Sequence, residues 1–352
     1  MDFNLTEEHL MIREAARDFA QTELLPGVIE RDEKQFFPKE LVKKMGDLGF
    51  LGVMVDPKYG GSGMDTISYV IIMEELSKID ASASVIVSVN NSLVCYGLEK
   101  YGSENQKDKY LTKLATGEFV GAFCLSEPEA GSDATSQSTT AIDKGDYYLL
   151  NGTKNWITNG GRSDVYLIIA QTDREKGHRG INAFIVEKGM EGFDIGPKED
   201  KLGIRGSDTH TLQFNDVKVP KENRIGDDGF GFTFAMKVLS GGRIGIAAQA
   251  LGIASGAYEL SLKYSKERKA FGKEIMHHQA IQFKLADMAT KIEAARLLCL
   301  KAAWEKDNHL DYTLSSSIAK VLFKHSWGTL NVDLINSSIL VIVKLEDDGK
   351  DE

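Results

Sequence analysis

The feature that most constrains this chain is the spacing of its apolar residues, which changes twice along its length. From Thr6 to about Leu25, Leu10, Ala15, Phe19 and Ala20 recur at helical intervals, and Pro26 stands where such a helix must stop. Pro38 opens a second helix ending near Gly46, Thr66 to Lys78 form a third, and Ser103 with Gln106 makes the capping box of a fourth. Between Gly121 and Val219 the runs TKNWITN, DVYLIIAQT, NAFIVEK and HTLQFNDVKV mass or alternate β-branched and aromatic residues between Gly and Asn/Asp turns. That spacing predicts short strands in a small antiparallel barrel or sandwich. After Gly229 long amphipathic patterns return, of the kind that packs as a helical bundle. The chain therefore reads as multi-domain α+β. An N-terminal helical domain covers 1–118, a middle β-barrel domain 119–228, a C-terminal helical bundle 229–321, and a tail of different texture 322–352.

A length of 352 residues exceeds what one core usually organises, in agreement with several docked domains. The net charge of -10 argues against broad contact with phosphate backbones and so against nucleic acid as a partner. Cys95, Cys124 and Cys299 are far apart, odd in number and set in apolar surroundings, as expected of reduced core thiols in the cytoplasm. The N-terminus carries charge throughout, and no segment reaches the ~18 apolar residues of a membrane span.

No GxGxxG follows a strand, and HExxH, GxSxG and P-loop motifs are lacking. The histidines, including His277 and His278, do not fall at metal-ligand spacing, so no metal is expected. The informative segment is FCLSEPEAGSDATS (Phe123 to Ser136), where helices give way to strands. Its small and hydroxyl-bearing residues free backbone N–H groups to meet oxygen acceptors, although a polar loop with an Asp or Ser capping a turn has the same composition. A second segment, NGTKNWITNGG (Asn151 to Gly161), falls on a hairpin.

Together with KLGIRGSDTHTLQFNDVKVP, GGRIGIAAQALGIA and RKAFGKEIMHHQAIQFKLADM, these segments appear in an ordered series that resembles the acyl-CoA dehydrogenases, nearest the short-chain, butyryl-CoA branch. The resemblance implies FAD held between three such domains, an acyl-CoA substrate, an electron-transferring flavoprotein as oxidant, and a homotetramer. It implies that Phe123, Cys124, Leu125 and Ser126 pass along the flavin, with Ser126 bonding the pyrimidine edge, and that Ser132 meets the pantetheine arm. Trp156, Ile157 and Thr158 match the strand against the flavin, the threonine hydroxyl bonding N5. Trp156 and Thr158, two apart on one strand, should then share a face. Arg268, Phe271 and Gln279 match residues reaching a neighbouring subunit's FAD, and Ser240 and Arg243 lie near the thioester chain, Ser240 replacing a common aspartate.

The resemblance ends after Val321. Family members continue with a glycine-rich turn and a YEGT-like segment bearing the glutamate base, whereas this chain reads LFKHSWGTLNVDLINSSILVIVKLEDDGKDE. Leu334 to Val343 is suddenly strand-like, as in a frameshifted or truncated gene product, and Glu346, Asp347, Asp348, Asp351 and Glu352 read as a solvated charge run. Other branches carry the base just before the arginine of GGRIG, and that slot is Gly242. No catalytic residue is therefore assigned. The bundle is expected to be incomplete, exposing Ile281, Leu285, Met288 and Ile292, and the chain to be poorly soluble, FAD-deficient and nearly inactive. A binding protein holding FAD or acyl-CoA without turnover is the alternative reading.

Overall fold

In the computed structural model residues 4–322 are described, and the tail carboxylates and the strand-like run 334–343 lie outside them. The first helix, α1 (Glu7–Phe19), begins where Thr6 Oγ1 accepts from the His9 amide at 3.2 Å and His9 Nδ1 accepts in return from Thr6 N. It runs on through a π-helical turn, Ala20–Leu24. Next come α2 (Val28–Glu33), α3 (Lys39–Asp47) and α4 (Thr66–Ser77), the last capped by Asp65, which accepts from Ser68 N at 2.7 Å.

The sequence reading missed the next element. α5 (Ala81–Ser88), π-helical Val89–Cys95 and α6 (Tyr96–Tyr101) form one 21-residue helix. Its mean hydropathy of 1.3 corrects the expectation that no segment approaches a membrane span, yet 78% of its apolar window is buried, as in a core helix. Asn90 and Asn91 explain its place. Asn90 Nδ2 donates to Leu51 O and Leu114 O, its Oδ1 accepts from Gly121 N, and Asn91 Oδ1 accepts from Val53 N. These amides satisfy backbone of the loop at 51–53, the end of α8 and the start of β1 that burial would otherwise leave unpaired. Two short helices, α7 (Glu104–Gln106) and α8 (Thr112–Ala115), close the region, α7 with the expected Ser103 capping box.

An eight-stranded sheet follows, made of β1 (Gly121–Cys124), β2 (Thr140–Asp143), β3 (Tyr147–Thr158), β4 (Val165–Gln171), β5 (Ile181–Glu187), β6 (Phe193–Lys198), β7 (Thr209–Pro220) and β8 (Arg224–Ile225). The strand order is β6-β7-β3-β2-β4-β5-β8, with β1 added parallel to β4. The sheet is thus mixed where the sequence suggested only antiparallel pairs. The cause is visible in β4, which is buried along its whole length. Val165, Leu167 and Ile169 meet the helices, while Tyr166, Ile168 and Ala170 enter a second core on the other face. A strand covered on both faces reads as a continuous apolar run rather than an alternating one.

The bundle comprises α9 (Gly231–Glu267), a two-stranded ribbon of β9 (Lys269–Ala270) and β10 (Lys273–Glu274), α10 (Gln279–Asp307) and a helical segment over 313–322. α9 packs closely on α4 through small residues. A Cβ on Gly245 would lie 2.2 Å from Tyr69 Oη, and one on Gly252 2.3 Å from Glu74 O. Met288 and Ile292, expected to be exposed, are buried at 4% and 5%, because the inner face of α10 meets α4 and α9 in the main core. Large apolar side chains are exposed at Leu260 on α9, Phe271 on the ribbon and Phe283 on α10, by 65%, 95% and 62%.

Candidate functional site

The site is built where β1 runs out into the loop 125–139 beside the end of β3. β1 can approach the helix 81–101 only because residue 121 is glycine, since a Cβ there would lie 2.5 Å from Val94 Cγ1. Strand alternation then sorts its side chains. Ala122 and Cys124 enter the sheet core, while Phe123 turns to the helices, its ring 6.4 Å from that of Phe234 on α9. Cys124 is fully buried, burial pushes its thiol well above the ordinary range, and only its backbone can face a ligand. Leu125 and Ser126 are half-buried.

On β3 the pairing to β7 slips between Lys154 and Ile157: three steps on β3 face two on β7. Simple alternation would give Lys154 and Trp156 one environment, but Lys154 is fully buried and Trp156 is 64% exposed. The extra residue is accommodated at Trp156, whose φ of 61° is rare for an aromatic residue and marks stored strain. Beyond the bulge Ile157 packs inward, leaving Trp156 and Thr158 outside the core. The amide of Asn155 donates to Ser126 O at 2.9 Å, so the loop and strand segments singled out by sequence lie side by side.

The hairpin end is held by Asp208, whose Oδ2 accepts from Gly161 N at 2.8 Å and whose Oδ1 lies 3.0 Å from His210 Nε2. Asn159 Nδ2 donates to Gly121 O, tying β3 back to β1. Ser132 sits on the exposed outer part of the loop, where Asp133 accepts from Thr135 N and from the Thr135 and Ser136 hydroxyls; these bonds hold its carboxyl below the usual range. The capped-turn reading of this stretch is therefore also true.

Across from the sheet, α9 presents Ser240, Gly242 and Arg243. Ser240 is buried, donates to Met236 O at 3.1 Å and accepts from Arg243 Nη1 at 3.3 Å. Gly242 faces Leu93, whose Cδ2 would lie 2.7 Å from an added Cβ, and a Cβ on Gly241 would be 4.0 Å from Tyr312 Oη. Tyr312 and Leu93 were not singled out by sequence, and only the folding of 313–322 and 81–101 against α9 brings them there. Arg268, Phe271 and Gln279 lie elsewhere and are exposed: Arg268 caps the end of α9, Phe271 sits in the turn of the ribbon at φ 52° with its ring 6.0 Å from that of His278, and Gln279 begins α10.

This arrangement suits a flat, polar-edged ring. The exposed indole and strained backbone of Trp156 precede Thr158 by two residues, the loop at Ser126 is bonded to Asn155 N, and Asn155 Oδ1 is buried with no partner among the described residues. Residues 6–118, 122–217 and 229–329 match the N-terminal, middle and C-terminal domains of acyl-CoA dehydrogenase. The short-chain specific acyl-CoA dehydrogenase of Clostridium acetobutylicum is 50% identical, over 91% of this chain and 85% of its own length. The caffeyl-CoA reductase-Etf complex subunit CarC of Acetobacterium woodii is 49% identical over 90% of this chain and 83% of its own. The butyryl-CoA dehydrogenase structure from Megasphaera elsdenii superposes with a TM-score of 0.93 at 46% identity, covering 96% of this chain and 89% of that one. The chain belongs to the acyl-CoA dehydrogenase family of FAD-dependent oxidoreductases.

Proposed function

We propose that this chain binds FAD and a short-chain acyl-CoA in the cleft between loop 125–139, β3 and α9, and that it turns the substrate over negligibly. The observation that carries the binding half is the 2.9 Å bond joining Asn155 N to Ser126 O, which sets the loop against the strand. The parent reaction removes an α-proton from the acyl-CoA and a hydride from its β-carbon to give a trans-2-enoyl-CoA, and bound FAD would supply the hydride acceptor. The chain's own residues do the rest. Ser126 and Thr158 offer hydroxyl donors where negative charge develops, Trp156 covers the ring, and Ser240 with Arg243 borders the thioester end. Ser132 meets the pantetheine arm.

An α-proton of a thioester is very weakly acidic, so a positioned base is required. Gly242 has no group to take it, and this carries the second half of the proposal. The electron-transferring flavoprotein is the proposed oxidant, supported by the Etf complex to which CarC belongs. A cytoplasmic homotetramer is the proposed state; three buried free thiols agree with the first word, and the exposure of Arg268, Phe271 and Gln279 between the end of α9 and the start of α10 agrees with a role toward a neighbouring subunit.

The test is anaerobic titration of the purified chain, supplied with FAD, by butyryl-CoA. The reading expects a shifted flavin spectrum without bleaching. Steady reduction of an electron acceptor would overturn the inactive half, and failure to take up added FAD would overturn the binding half.

A further inference from the structure

The loop that carries Ser126 and Ser132 is fastened by a charge that no binding role explains. Lys154 is fully buried and its ammonium donates to Leu125 O at 3.1 Å, Glu127 Oε1 at 2.6 Å and Gln137 Oε1 at 2.5 Å. Three donors meet three acceptors. Glu127, whose side chain is 1% exposed, accepts in turn from Ser138 N at 2.6 Å and from Thr139 N through both oxygens. The group therefore joins β3, the exit of β1 and the entry to β2, which are the two ends of one loop.

Burying such a pair costs several kcal/mol per ion in desolvation, and hydrophobic residues of the same volume often stabilise as well or better. A sheet core with Phe184, Phe214 and Leu212 close-packed nearby has no need of it for cohesion. What the pair supplies is direction. Lys154 precedes the bulge at Trp156 by two residues, and its bond to Leu125 O fixes the peptide that leads into Ser126. We infer that Lys154, ion-paired to Glu127, is a positioning residue that sets loop 125–139 against the Trp156 bulge, so that Ser126 and Ser132 stand in one fixed register for FAD and CoA. This rests on the cleft assigned above.

The experiment uses the full chain with Lys154→Met combined with Glu127→Gln, which removes both charges while keeping an acceptor for Ser138 N and Thr139 N. A control, Arg296→Met with Glu74→Gln, neutralises the 2.8 Å pair between α10 and α4. Amide hydrogen exchange of the peptide 125–139, without FAD, should accelerate at least tenfold in the Lys154/Glu127 variant and less than threefold in the control. Added FAD should bind the first variant at least tenfold more weakly than the parent, with a displaced flavin absorption band, and bind the control as the parent does. Unchanged exchange in the loop overturns the inference, as does a loosened loop with FAD affinity within twofold of the parent. Equal loosening in the control, scaled to its drop in Tm, also overturns it. If the parent itself binds no FAD, the cleft reading falls, while the exchange data still decide whether Lys154 holds the loop.

Discussion

The sheet region and the outer face of the bundle treat apolar surface in opposite ways. In the sheet, β4 is buried at every residue and Phe184 lies fully enclosed, its ring 4.8 Å from that of Tyr148. On the bundle, Leu260, Phe283 and Leu314 on helices and Phe271 on the ribbon stand between 62% and 95% exposed. Patches of this kind mark surfaces built to meet something else. Ser240, Gly241 and Gly242 lie buried on the inner side of α9, away from that exposed face. The sheet encloses its apolar surface within this single chain, and the outer face of the bundle does not.

The largest effect that could break this contrast is chemical. If the sheet half is sound and the missing function is a base on the bundle half, then Gly242→Glu should raise butyryl-CoA turnover from the background of the parent. Its Cβ would meet the end of Leu93, a flexible side chain, at 2.7 Å and Ser92 Oγ at 3.9 Å. A positioned general base contributes about 10² to 10⁴ in rate, and a gain toward the lower end is expected. Dye reduction by the FAD-supplied variant is the measurement, and no gain with flavin bound would place the defect elsewhere. The next effect is on stability. Phe184→Ala should cost about 3–5 kcal/mol in urea unfolding, as full enclosure leaves a cavity. A loss under 1 kcal/mol would show the sheet core to be looser than its burial indicates.

How much of this was legible beforehand follows the same division. The Thr6, Pro38, Thr66 and Ser103 helix starts could be read because caps are local, and the strands around Val165 and Thr209 because their runs are massed and bounded by turns. The helix 81–101 escaped because its Asn90 and Asn91, polar in sequence, bond to backbone some 24–41 residues away. The grouping of Trp156 with Thr158 rested on simple alternation, which the bulge at φ 61° interrupts, since it sets Trp156 apart from Lys154. Lys154 itself gave no signal, being one charged letter in a strand. Met288 and Ile292 were placed on the wrong face because amphipathic periodicity identifies a stripe without saying what covers it.

A smaller effect concerns that lysine. Burial lowers Lys154 from 10.5 to about 8, so between those values the unfolded chain still holds a proton that the folded chain has released. Stability from this group is then constant below pH 8 and rises with pH up to the unfolded value, by at most ~3 kcal/mol. Raising the pH from 7 to 10 should therefore stabilise the parent relative to the Lys154→Met, Glu127→Gln variant, as measured by paired urea titrations. A gap that narrows instead would mean that the folded site holds its proton more tightly than water does.

The smallest stability effect is expected at exposed apolar side chains of the bundle. Leu260 and Phe283 stand 65% and 62% exposed on α9 and α10, so replacing both by lysine removes little buried surface from the folded chain. Surface changes away from caps and cores usually fall within about 0.5 kcal/mol. Association should respond far more, because a charge on each helix opposes burial of that face against another apolar surface. Light scattering and gel filtration of the Leu260→Lys, Phe283→Lys variant should show less self-association than the parent at equal concentration, with an unfolding midpoint nearly unchanged. If the midpoint drops as it does for Phe184→Ala, these side chains support the fold of the single chain, and the contrast between a finished sheet and an unfinished bundle face is lost.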